Sequence, residues 1–236
     1  MKITRLSIVA IMLIMIVVIT AGCSSKPAVG SVVNSSSVIS TNYKWITYQS
    51  TAQNDLVGNT SGTIRIDKSS DNYQGIPATL IKLADTSSYV GEYTGQTFVT
   101  QTAYNIYFDT AMKNVLGGTK STSKSTSMSD SNRKLARIPH AIMTGTSNQD
   151  QPLNYPISAG PSSDLTTSLG GLGLIIGDVP LTYEGTQSVT VPAGTYSNAD
   201  FYMSLVNGVT TSFWVSSGIP VKIQATTETL VLTGWG

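Results

Sequence analysis

The chain has one cysteine, Cys23, and one histidine, His140, in 236 residues. A lone cysteine cannot close an internal disulfide, so the fold must rest on an apolar core. A lone histidine cannot build a multi-histidine zinc site. A Ser-His-Asp site could run only through His140, and no Gly-x-Ser-x-Gly elbow exists to present its serine. Charge is also scarce, at 11% Asp, Glu, Lys and Arg with a net charge of +1, against about 25% in ordinary globular chains. Without a basic excess there is nothing to neutralise a phosphate backbone, which excludes nucleic acid as a partner. The acidic residues are scattered singly, so a carboxylate pair for glycoside hydrolysis could arise only in space. No repeat of 20–50 residues marks a propeller or solenoid.

Three short matches to chemical motifs fail on context. Ser121-Thr122-Ser123-Lys124 and Ser70-Asp71-Asn72 match two elements of penicillin-binding enzymes, but in reversed order and without Lys-Thr-Gly. Gly171-Leu172-Gly173-Leu174-Ile175-Ile176-Gly177 has the wrong spacing for a dinucleotide loop. No cofactor and no metal is expected, and the chain reads as a protein without enzymatic activity. Asn34-Ser35-Ser36 and Asn59-Thr60-Ser61 are acceptor triplets for glycosylation, meaningful only in a host that modifies exported proteins.

What the chain does have stands at its start. Lys2 and Arg5 precede an apolar run from Leu6 to Ile19, followed by Thr20-Ala21-Gly22-Cys23. A basic start, an apolar stretch and small residues before a cut make a secretory signal. The segment resembles the lipobox of prokaryotic lipoproteins, although Thr20 stands where that family prefers an aliphatic residue. The resemblance implies cleavage before Cys23, diacylglycerol on its sulfur, and a mature protein anchored by lipid on the extracytoplasmic side of the cell membrane. The alternative is an uncleaved membrane helix, for which Leu6–Gly22 falls short of the roughly 20 apolar residues a span needs.

Residues 23–41 are rich in Ser and Val and read as a flexible linker. Residues 42–236 read as one domain. Tyr43–Tyr48 is rich in β-formers, and Gly62–Asp67 alternates with Ile64 and Ile66 on one face. Similar runs follow at Ile76–Leu83, Ser88–Thr100, Thr102–Asp109 and Met112–Leu116. Lys120–Lys134 has almost nothing to bury and reads as a mobile loop. Gln149–Pro161 reads as a proline-rich loop, and Ser163–Leu172 as a short helix capped by Ser162-Ser163-Asp164. Thr182–Val191, Thr195–Val206, Val209–Val215, Val221–Thr226 and Thr229–Trp235 read as five strands. The expected fold is mainly β: a single curved antiparallel sheet, an open half-barrel, with one or two short helices.

The C-terminal segment carries a second resemblance. Val191-Pro192-Ala193-Gly194-Thr195-Tyr196, then Phe213-Trp214-Val215, then Gly218-Ile219-Pro220-Val221-Lys222-Ile223 are similar, in that order, to the last strands of LolA/LolB-like lipoprotein-carrier half-barrels and their uncharacterised relatives. Over about residues 180–226 the resemblance implies a curved sheet around a short helix, with an apolar concave face. None of those carriers' lipid contacts can be matched to a residue here.

Asn207-Gly208 predicts a two-residue hairpin turn that fixes the register of its strands. Counting outward, Leu205 faces Thr210, Met203 faces Ser212 and Phe201 faces Trp214. Phe201, Met203, Leu205 and Trp214 then share one face, expected to line an apolar groove on the concave side. The functional expectation is a lipid-anchored domain binding an acyl chain or a lipoprotein in that groove. The alternatives are a structural or protein-interaction module of the cell surface without a ligand, and an envelope hydrolase. Partners would be the membrane, through the anchor, and a lipid or an envelope protein.

Overall fold

Period-two patterning dominates the structure, a computed structural model that describes residues 26–40, 42–54, 58–91, 96–128, 153–161, 179–206 and 208–236. The strands are β1 (Val32–Asn34), β2 (Trp45–Asn54), β3 (Gly58–Tyr73), β4 (Ile76–Val90), β5 (Gln96–Phe108), β6 (Asn114–Met128), β7 (Leu153–Ile157), β8 (Gly160–Pro161), β9 (Pro180–Val191), β10 (Gly194–Val206), β11 (Val209–Ser216), β12 (Ile219–Gln224) and β13 (Glu228–Trp235). They form one sheet in the order β1-β9-β10-β11-β12-β13-β2-β3-β4-β5-β6-β7, with β8 also on β6. Every pairing is antiparallel. The path does not close on itself. The expected fold class, a mainly β open curved sheet, is therefore the observed one. The only helix among the described residues is the single turn α1 (Ser35–Val38).

The turns follow backbone chemistry. Gln74 and Gly75 both take positive φ, as do Ser217 and Gly218. Two consecutive positive-φ residues match the twist of the strands they join. The β10–β11 register is the one predicted: Val206 opposite Val209, Leu205 opposite Thr210, Met203 opposite Ser212 and Phe201 opposite Trp214.

Two hydrogen bonds draw part of the sheet around one core. The Ala193 amide, in the β9–β10 turn, donates to the Leu232 carbonyl of β13 at 3.0 Å. The buried Tyr48 hydroxyl of β2 donates to the Pro220 carbonyl of β12 at 2.8 Å. These bonds skip over neighbouring strands, so the half of the sheet from β9 to β2 must curl. Ile46, Tyr48, Ile64, Ile66, Ile81, Leu83, Ile106 and Phe108 meet Leu181, Tyr202, Phe213, Val221, Ile223, Leu230 and Leu232 in one buried cluster. Burying each such side chain contributes roughly 1.5–3 kcal/mol.

Three expectations are corrected. Lys120–Lys134 is not a loop throughout: Lys120–Met128 belongs to β6 and pairs residue for residue with β5, Lys120 opposite Tyr104 and Lys124 opposite Thr100. Its neighbour β5 supplies the hydrogen-bonding partner that composition alone does not reveal. Residues 129–134 lie outside the described residues. Part of the proline-rich loop is strand, because Pro156 sits in β7 at the end of the strand path, where a missing amide is tolerated.

The third correction concerns the linker. From Lys26 on, that segment is bound to the domain: Val33 pairs with Leu181, Ile39 is buried, and Ser35 and Val179 exchange two hydrogen bonds. The expected helix Ser163–Leu172, His140 and Cys23 all fall outside the described residues.

Candidate functional site

Directly opposed residues of a ladder share a face, so the register divides the sheet into an inner and an outer surface. Tyr202 lies opposite Phe213, Phe213 opposite Ile223, and Ile223 opposite Leu230. All four are buried, and this row is the inner face. Ser204 and Thr211 are on it too, both buried, and the Ser204 hydroxyl donates to the Pro180 carbonyl at 2.7 Å.

Phe201, Met203, Leu205 and Trp214 alternate with that row and lie on the outer face. The structure brings the four together as predicted, but on the side away from the core. Phe201 and Trp214 pack with ring centroids 4.9 Å apart. Leu205 is 70% exposed. They do not line a concave groove. Burial of the hydroxyl-bearing face was missed because its Ser and Thr look solvent-facing until Pro180 is seen to accept from Ser204.

The apolar part of the inner face is filled by its own side chains. Tyr48, Phe108, Phe213, Leu181 and Leu232 have essentially no exposed surface. The far half of the inner face, on β3–β6, is different in chemistry. Asp85 stands opposite Ile64 and Thr102, and Thr102 stands opposite Thr122. Lys120 reaches over the Tyr104 ring at 5.3 Å, and Tyr89 stacks on Phe98 at 4.8 Å. Burial raises the Asp85 carboxyl above its usual range. Burial also raises Glu228, and the charge of Asp85 adds to that rise.

The outer face carries a second polar feature. A shallow hollow of about 440 Å³ is lined by Gln49, Ser61, Gly62, Thr63, Thr86, Ser88 and Thr233. It offers hydroxyls and an amide but no titratable group. Among the described residues no cluster of His, Cys, Asp and Glu has the geometry of a metal site. None of their helices is long and apolar enough to cross a membrane.

No family model matches the chain, and no curated protein matches it. Among solved structures it is similar to a beta-barrel-like protein of the domain of unknown function DUF1849 from Brucella abortus, at 10% sequence identity and a TM-score of 0.36. The match covers 87% of this chain and 97% of that one.

Proposed function

We propose that this protein is a non-enzymatic, lipid-anchored module of the cell surface that acts through the exposed faces of its sheet, not by enclosing an apolar ligand. One observation carries the reading. The apolar inner face is occupied by fully buried side chains of the domain itself, and the residues expected to form a groove lie outside it. A binder of acyl chains needs a cavity larger than its own side chains fill. The long strands β3–β6 present Ser, Thr and Asn outward, a surface suited to hydrogen-bonded contact with another envelope component. The anchor at Cys23 would hold the domain on the extracytoplasmic side of the membrane. The lipobox resemblance, with its basic start and small residues before the cysteine, supports that placement.

Native mass spectrometry of a Cys23→Ser protein purified without detergent tests the choice. The expected spectrum shows the bare polypeptide mass. A co-purified lipid in defined stoichiometry overturns the reading and restores the apolar-ligand alternative. Intact mass of the wild-type protein from membranes tests the anchor separately. A mass for mature protein plus diacylglycerol is expected, and an unmodified Met1 terminus refutes it.

A further inference from the structure

The outer-face aromatic pair does not stand alone. Val32 lies opposite Thr182, and Thr182 lies opposite Met203, so Val32 and Met203 share the face of Phe201, Leu205 and Trp214. Val29 joins them over Gly185, which itself stands opposite Phe201. Val29 is 69% exposed and Val32 66%. Single exposed apolar residues are ordinary, but a contiguous set on one face marks a contact surface. The rim is balanced in charge: Lys222 sits over the Trp214 ring at 4.6 Å, and Glu184 is exposed on β9.

The occupant follows from where the chain leads. Lys26 is fixed to β10 by a 2.7 Å ion pair with Asp200, which shares the face of Tyr202 and accepts from the Tyr183 hydroxyl. The Gly30 amide donates to the Tyr183 carbonyl and Tyr183 returns a bond to Ser31. The stretch from Lys26 to Val32 is thus held against β9 and β10, and Val29 and Val32 within it join the apolar surface. Cys23 precedes Lys26 by three residues, a reach of at most about 11 Å. An acylated Cys23 would bring the bilayer close to β9 and β10, the strands that carry this surface.

We propose that Val29, Val32, Phe201, Met203, Leu205 and Trp214 form a membrane-docking face, laid on the bilayer that holds the protein's own lipid anchor. The proposal rests on lipidation at Cys23. The anchor supplies attachment, and this face fixes orientation. Because the rim carries little net charge, docking is apolar and survives high salt, unlike attraction to an anionic surface.

With Cys23 acylated, a new cysteine is the only free thiol. The lipidated protein is purified as Leu205→Cys and as Thr63→Cys, labelled with an environment-sensitive fluorophore and reconstituted into phosphatidylcholine vesicles. Intact mass is checked first: absent acyl chains refute the anchor and leave the label readings to judge the face alone, on a Cys23→Ser background tethered through an N-terminal histidine tag to nickel-chelating lipid. The expected result is a blue-shifted label at residue 205, quenched by lipids carrying nitroxide on the acyl chain, at low and at high salt. The label at residue 63 should stay water-exposed. Water exposure at both positions overturns the docking face. So does a dimer in detergent-free Cys23→Ser protein that Leu205→Asp dissolves, which would assign the face to a second copy of the chain.

Discussion

Phe201 packs against Trp214 across the β10–β11 ladder with ring centroids 4.9 Å apart, on the face opposite the buried Tyr202 and Phe213. Neighbouring positions of one hairpin therefore differ sharply in what they contribute. Phe213→Ala empties a fully enclosed site and should cost roughly 3–5 kcal/mol. Phe201→Ala removes a partly exposed contact and should cost about 1 kcal/mol, the scale of one cross-strand aromatic pair. Urea unfolding of the two variants checks the contrast, and equal losses would contradict this assignment of faces.

Ser204 buries a hydroxyl that donates to the Pro180 carbonyl. Ser204→Ala leaves that acceptor unsatisfied and should cost about 1–3 kcal/mol. Thr210→Ala, on the exposed side of the same hairpin, should stay within about 0.5 kcal/mol of wild type. Unfolding midpoints of both proteins in one buffer decide it.

The carboxyls of Asp85 and Glu228 both titrate above their usual range because the fold buries them. The folded state binds their protons more tightly than the unfolded state does. Their contribution to stability is fully present below the ordinary carboxyl values and is lost as pH rises through the raised ones. Glu228→Gln should therefore flatten the decline in stability as pH rises above the ordinary carboxyl range. Thermal unfolding across that rise measures it, and an unchanged slope would sink the assignment.

Residues 26–40 are held by β-pairing, by the Ser35–Val179 exchange and by the buried Ile39. A protein beginning at Tyr43 should unfold at clearly lower urea than one beginning at Lys26, because deletion uncovers β9 and Val179. Equal midpoints would return the segment to the status of a tether.

Gly62 and the β6 segment test the paired wing. A Cβ at Gly62 would run into the Thr86 carbonyl oxygen across the ladder, so Gly62→Ala should loosen the β3–β4 pairing. Amide exchange should be slow from Lys120 to Thr122 in the wild type, where the amides face β5 or β7. Gly62→Ala should speed exchange in β3 and β4 first.

Much of the C-terminal sheet was legible in local chemistry. Asn207-Gly208, Pro192-Ala193 and Ser217-Gly218 mark turns, and counting from Asn207-Gly208 gives the whole β10–β11 pairing, whereas bulges shift the register beyond the other two. The β6 strand was legible in principle, since Lys-Ser-Thr-Ser-Lys-Ser-Thr-Ser alternates with period two, serine on one face. That signal was masked by low hydrophobicity, because this run lacks the apolar face that normally announces a strand. Ser88–Thr100 runs across the β4–β5 boundary: Val90 and Gln96 belong to different strands, and Gly91 and Gly95 between them carry the turn signal.

The sequence by itself determined the fold class and the register of the β10–β11 hairpin. Only the tertiary structure decided which side of the β10–β11 hairpin is inside. Both sides carry bulky apolar residues, so hydrophobicity ranks them wrongly: Phe201, Met203 and Leu205 outweigh Tyr202 and Ser204. The choice is made by the neighbours. Phe213 is locked opposite Ile223 and Ile223 opposite Leu230, and both partners are buried. A ladder transmits face from strand to strand, so one hairpin's burial is fixed by strands it was not compared with.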